Sequence, residues 1–197
     1  MPRCKRSRSR KDLHVGYHRA AFAVAAIIAG PVFAQQMRVA PQHQLSGPDM
    51  NFMREAAIGG MAEVELGKLA QQNAQSEDVK QFGARMAEDH GAAGNELATL
   101  ASSKGVRLPD QLDPKHAQLR DKLARLRGAQ FDRTYMREMT KDHDKDLKVF
   151  RRQAQSASNP ELKQFAAKTV GVIEQHDKLA HDISQSLSAV GSSHRPR

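Results

Sequence analysis

Cysteine occurs once in the 197 residues, at Cys4, tryptophan does not occur, and aromatic residues make up only 5% of the chain. With strand-forming residues so scarce and Ala, Leu, Gln, Lys and Glu plentiful, helices are well supplied and sheets are not. Proline is absent from Asn51 to Lys104 and again from Lys115 to Asn159, so two long stretches carry no helix breaker. Nowhere does an apolar run reach the ~20 residues that a membrane-spanning helix needs. A glycine-rich phosphate loop, a metalloprotease helix motif and a Ser-His-Asp pattern tied to a strand are all missing, so no reaction is specified.

What is present begins with charge. The formal balance is +9, with 39% hydrophobic and 27% charged residues, a composition that fits one globular domain. Most of the excess is at the start: Arg3, Lys5, Arg6, Arg8, Arg10, Lys11 and Arg19 stand against Asp12 alone, leaving +3 for the rest of the chain. A basic patch on a folded face would point to nucleic acid, and this distribution removes that expectation. The basic segment is followed by the small and apolar run Ala20 to Ala29, a break at Gly30-Pro31, and Val32-Phe33-Ala34 before Gln35-Gln36. This is the order of a secretory signal peptide over residues 1–34, with an uncleaved N-terminal anchor as the alternative reading. It predicts export to the periplasm or outer envelope, with envelope association and no membrane span once the leader is removed. Cys4 would leave with the leader, so neither a disulfide nor a thiol nucleophile would remain. Residues 35–48 read as a flexible linker, 49–190 as the folded domain, and 191–197 as a disordered tail.

Four long segments have helical periodicity. The first starts near Asp49, an N-cap candidate after Pro48, and runs to about Gln75. Ser76 caps the second, whose apolar stripe is Val79, Phe82, Met86, His90, Ala93, Leu97 and Leu100, ending at Gly105. Residues 105–127 form a connector broken at Leu108-Pro109, with Asp113-Pro114 opening a short helix that runs to Arg127. After Gly128 the third long segment covers Gln130 to Gln155, with Tyr135, Met139, His143, Leu147, Phe150 and Ala154 on one stripe. Asn159-Pro160 opens the fourth, with Leu162, Phe165, Thr169, Val172, His176, Leu179, Ile183 and Leu187. Ala74-Gln75-Ser76 with Val79-Lys80-Gln81-Phe82 is echoed by Ala154-Gln155-Ser156 with Leu162-Lys163-Gln164-Phe165, as two related hairpins would leave behind. The fold expected is all-α: a ferritin-like four-helix bundle whose long connector carries a short helix between the second and third long helices.

On the first segment, Ala56, Gly60, Glu63, Gly67, Ala70 and Ala74 form a stripe of small residues interrupted by one carboxylate, competing with an apolar face of Ile58, Met61, Leu66 and Leu69. In one reading Glu63 and Glu65 are solvated acids; in the other Glu63 points between the helices. His90, His143 and His176 each interrupt an apolar stripe at ~20 to 28 Å from a hairpin tip, counted at ~1.5 Å per residue. A carboxylate and three imidazoles from four helices are a ligand set suited to a divalent transition metal such as iron, zinc or manganese. Glu88, Asp89, Asp142 and Glu174, one or two residues from the histidines, are candidate partners for a ring N–H. The Glu-x-x-His pair of di-iron bundles is absent, since the sequence reads Glu88-Asp89-His90 and Glu174-Gln175-His176. A structural layer of hydrogen-bonded histidines is the alternative. His181 reads as a surface residue, and His43 and His194 fall in the flexible segments.

The run Ala57-Ile58-Gly59-Gly60-Met61-Ala62-Glu63-Val64-Glu65-Leu66-Gly67-Lys68-Leu69-Ala70, with Val79-Lys80-Gln81-Phe82 and Met86-Ala87-Glu88-Asp89-His90, resembles the bacterial domain of unknown function 4142 family. The likeness continues through Gly105, Tyr135, Met139, His143 and Phe150 to His176, over about residues 49–188. It implies a ferritin-like bundle behind a signal peptide, in proteins labelled exported or outer-membrane, and no established activity. An outer-membrane barrel is not implied, because alternating strands are missing. The expected function is therefore an exported bundle that binds a transition metal for metal handling or oxidative stress; the alternative is a non-catalytic envelope binding or scaffold module.

Overall fold

The computed structural model describes residues 45–193, with side chains as far as Ala189. The expected leader, most of the linker, His43 and the end of the tail with His194 lie outside the described residues. Five helices follow in order: α1 (Gly47–Asn73), α2 (Glu77–Ser103), α3 (Pro114–Ala124), α4 (Gly128–Ser156) and α5 (Pro160–Ser193). No strand occurs among the described residues.

Several boundaries differ from the sequence reading for identifiable reasons. Ser46, not Asp49, is the N-cap of α1: its hydroxyl accepts from the Asp49 N–H at 3.2 Å, and the Asp49 carboxylate accepts from the Ser46 N–H at 3.2 Å. This capping box moves the N-cap three residues earlier and contributes about 1 kcal/mol. Ser76 occupies the N-cap of α2 but makes no side-chain cap bond. The Asp132 carboxylate of α4 takes its place, accepting from the N–H groups of Gln75 at 3.0 Å and Ser76 at 2.9 Å. At the opposite end, Asp49 of α1 accepts from the Ser158 N–H at 3.2 Å and from the Gln153 amide at 2.6 Å. Each hairpin turn is thus closed by a buried aspartate from the other hairpin. The short connector helix begins as expected, with Asp113 accepting from the His116 N–H at 2.8 Å, and stops at Ala124. Gly128, at φ +59°, supplies the left-handed turn into α4.

Cross-helix pairs define the topology. Asp49 meets Gln153, and Gln75 accepts from Ala129, so α1 and α4 run antiparallel. Arg85 meets Gln175, and Glu96 meets Lys168, so α2 and α5 do the same. Within the α1–α2 hairpin, Gly67 lies against Gly83 and Val64 against Gly91. The chain therefore goes up, down, crosses the length of the molecule, and goes down and up again. The connector carries this crossover: Val106 and Leu108 pack at the Phe52 end, and Leu119, Leu123 and Leu126 pack at the Phe131 end. On the fourth segment the buried positions are Leu162, Phe165, Ala166, Thr169, Ile173, His176 and Ala180. Ile173 replaces Val172 there, because the inward face advances by four-residue steps at that point.

The core consists of two apolar clusters. One gathers Leu66, Phe82, Met86, Phe131, Tyr135 and Met139; the other gathers Phe52, Met53, Leu97, Phe150, Phe165 and Ile173. Between them in every long helix stands one polar residue: Glu63, His90, His143 or His176.

Candidate metal centre

A close approach of backbones sets the position of Glu63. A Cβ added to Gly83 would lie 2.5 Å from the Ala70 Cβ and 2.7 Å from the Gly67 carbonyl oxygen, so only glycine admits this helix contact. The small-residue stripe thereby wins the inward face of α1, and Glu63, one turn before Gly67, is buried at 3% exposure. Ile58, Met61 and Leu69 stay half-buried on the flank.

Glu63, His90, His143 and His176 come together. His90 is 7% exposed, while His143 and His176 are fully buried. The three imidazole ring centres lie 5.2 to 5.9 Å apart, and each ring offers one nitrogen within 4.8 Å of the others. The Glu63 Oε2 is 2.7 Å from His90 Nδ1, and its Oε1 is 3.7 Å from His143 Nε2. His90 Nε2 faces His176 Nδ1 at 3.2 Å. A tetrahedral ion with ligands at ~2.1 Å spaces its donors about 3.4 Å apart, so these separations suit one.

The outer ring nitrogens fix the tautomers. His176 Nε2 meets the Asp89 carboxylate at 2.8 Å, His143 Nδ1 meets the Met139 carbonyl at 2.9 Å, and His90 Nδ1 meets Glu63. Carboxylates and carbonyls only accept, so each of these nitrogens carries a hydrogen. With all three rings neutral, His90 Nε2, His143 Nε2 and His176 Nδ1 would present lone pairs to one another. His143 Nε2 indeed has no hydrogen-bond partner although solvent does not reach it. Such an orphan costs roughly 1 to 3 kcal/mol.

The electrostatics set the order in which these groups take up protons. Burial pushes the Glu63 carboxyl up, but the facing His90, then His143 and His176, bring it down to about 2. Burial also pushes His90 down, and the Glu63 carboxylate outweighs it and lifts His90 above the ordinary imidazole value. Burial with the neighbouring His90 and His143 drives His176 down to about 4, against the pull of Asp89. An extra proton in this pocket is therefore held more tightly by His90 than by His176.

Residues 34–183 match the family described as Domain of unknown function (DUF4142). The chain belongs to the DUF4142 family. Its fold is similar to that of a DUF305 fragment from Deinococcus radiodurans, with a TM-score of 0.64 over 73% of this chain and 99% of that one, at 12% identity. It is also similar to a DUF305 protein from Streptomyces coelicolor described as secreted, with a TM-score of 0.61 over 72% and 92% at 17% identity. No curated protein matches this DUF4142 chain in sequence. At such identities the likeness concerns the fold, and the roles of residues have to come from geometry.

Among the neighbouring acids of the DUF4142 site, Asp89 reaches a ring, but that of His176 across the helix interface rather than its own neighbour His90. Glu88 and Glu174 are exposed, and Glu174 pairs with Arg151 at 2.8 Å. Asp142 joins Glu63 and Asp146 in a group whose carboxylate oxygens lie within 4.8 Å of one another. Burial, then the charges of Glu63 and Asp142, push the Asp146 carboxyl up to about 7. Sequence reasoning missed Asp146, although its place one turn after His143 was the available signal. His181 is 45% exposed on the surface, beside Asp144 and Asp177.

Proposed function

We propose that this protein is an exported, ferritin-like bundle that binds one divalent first-row transition ion through His90, His143, His176 and Glu63, in metal handling or defence against oxidative stress. The observation that carries the reading is the convergence of three imidazole nitrogens, one of them orphaned, on a space with no hydrogen to share among them when neutral. The up, down, crossover, down, up chain path supports the ferritin-like assignment.

The residues divide the work. Asp89 and the Met139 carbonyl hold His176 and His143 in the tautomers whose free nitrogens point inward. Glu63, ionised at any physiological pH, offsets the ion's charge. The aromatic and methionine layers on both sides keep bulk water away. A bound ion would supply a Lewis acid, and with iron or manganese a redox centre. No helix among the described residues is long and apolar enough to cross a membrane. The basic-apolar leader and the similarity to a chain described as secreted support an exported location.

Metal analysis of protein purified from the periplasm without a histidine-rich tag tests the reading, together with melting curves. A chelator should lower the melting temperature and one of the first-row divalent ions should restore it, since an ion that binds only the native state stabilises it. Identical melting with chelator and with every such ion would leave a structural polar layer in an envelope scaffold as the account.

A further inference from the structure

A cation bound among these histidines has to get there through a nearly sealed interior. On one side the Phe82 ring lies 6.4 and 6.3 Å from the rings of His143 and His176, backed by Met86, Tyr135 and Met139. On the other side stand Phe52, Leu97, Phe150 and Phe165. Along the α2–α5 seam, Asp89 is bound to His176, and the cationic Arg85 bridges Asp89 at 3.3 Å and Gln175. A positive charge at that seam opposes a second one passing it.

Two other cavities approach the cluster. The groove between α1 and α2, of about 440 Å³, touches His90, but glycines and aliphatic residues line most of it. Its one acid, Glu65, is already paired with Arg120 at 3.2 Å. The cavity between α1, α3 and α4, of about 320 Å³, differs in charge: Glu55, Asp113, Asp142 and Asp146 face it against Lys115, Lys145 and His116. Glu55 and Asp142 stay in excess even with Asp113 paired to His116 at 2.7 Å and Asp146 lying 3.6 Å from Lys145. Ala56, Asp146 and Phe150 form its inner wall and are also the wall of a second space, of about 30 Å³, that Glu63 and His90 line. That space is large enough for one water-sized particle.

We propose that the acidic cavity between α1, α3 and α4 is the path by which a divalent cation reaches and leaves the histidines, with Asp142 and Asp146 passing it to Glu63. The inference rests on the metal-binding reading above. The carboxylate oxygens of Asp142, Asp146 and Glu63 lie within 4.8 Å of one another, so a cation moves from one to the next without crossing an apolar gap. The inner end is marked by His143 Nε2, buried, unpartnered and 3.7 Å from the Glu63 Oε1. The path also gives α3 a role, since the crossover helix roofs this seam and contributes Lys115 to it. Gly59 lines the outer part, and a Cβ placed there meets nothing within 4 Å, so a larger side chain fits and obstructs.

The test is stopped-flow uptake and release of Zn²⁺ by the purified protein, read with a competing fluorescent chelator and compared with the equilibrium constant. The double variant Asp142→Asn with Asp146→Asn should slow uptake about tenfold, the lower end of electrostatic steering, and slow release alike, leaving Kd nearly unchanged. Gly59→Leu should slow both as well, whereas Gly91→Leu, in the α1–α2 groove, should slow neither. Unchanged rates in the first two variants overturn the path, as does slowing in Gly91→Leu alone. A weakened Kd with normal uptake in the aspartate variant also overturns it, by making those residues ligands. A wild-type protein that takes up no ion overturns the metal reading itself, whereas uptake with unaffected rates overturns only the path.

Discussion

His90 Nε2 and His176 Nδ1 face each other at 3.2 Å while Glu63 and Asp89 hold their outer nitrogens at 2.7 and 2.8 Å. A row of carboxylate, imidazole, imidazole and carboxylate has room for one shared hydrogen at its centre. Either a proton or a metal ion can sit there, and the two compete.

Ion binding should therefore release a proton. Against the effect of burial, the facing Glu63 carboxylate lifts His90 above the ordinary imidazole value, so at any pH where His90 is protonated, calorimetry in buffers of different ionisation enthalpy should report a proton released on ion binding. Affinity should rise with pH until His90 is deprotonated without the ion. A pH-independent affinity between pH 6 and 8, roughly the range in which imidazoles titrate, would contradict the exchange.

Asp89 orients a ring without touching the space between the rings. Asp89→Asn should weaken ion affinity by about 10- to 100-fold with helix content intact, because the charged partner of His176 is lost. The exposed Glu88→Gln should leave affinity unchanged. His143→Ala should abolish the metal-dependent shift in melting temperature. Equal affinity in Asp89→Asn and wild type would show that the carboxylate has no part in binding.

Asp146 makes the metal-free protein less stable as pH rises. Its folded carboxyl titrates near 7 against an ordinary value of 3.8, so the folded state binds the proton more tightly. Stability linked to that proton is fully present below about pH 4 and is lost as pH rises to about 7. Asp146→Asn with chelator should therefore be more stable than wild type above pH 7, by at most roughly 4 kcal/mol, and the advantage should vanish near pH 4. Urea denaturation across that range measures it.

Gly83→Ala would drive a methyl group to 2.5 Å from the Ala70 Cβ and 2.7 Å from the Gly67 carbonyl oxygen. The expected cost is about 1 to 3 kcal/mol of overpacking, despite alanine's better helix propensity. Gly94→Ala on the same helix has open space and should be neutral or stabilising. Thermal melts of the two variants would separate close packing from propensity.

Periodicity made the helices legible because each buries one face, and a buried face leaves a 3.6-residue signature wherever the chain stays helical. The stripes of α2 and α4 match the observed buried positions closely, whereas on α5 the choice between Val172 and Ile173 depended on how that helix rolls against its neighbours. Local signals also misplaced the caps. Asp49 and Ser76 look alike as N-cap candidates, yet one closes a capping box and the other leaves its turn to Asp132, far away in sequence.

The sequence by itself determined that the described chain is helical, that prolines fall at its joints, and that Glu63, His90, His143 and His176 interrupt four core-facing stripes at similar depth. Whether they meet depended on helix rotation and approach, which the Gly67–Gly83 contact and the two interlocking aspartates, Asp49 and Asp132, fix across the hairpins. Only the tertiary structure decided that Asp89 holds His176, that Asp146 lies beside Glu63, and that His143 Nε2 has no partner. Contacts between residues far apart in the chain leave no periodic trace, because they depend on the distance and roll between helices rather than on spacing along any one of them.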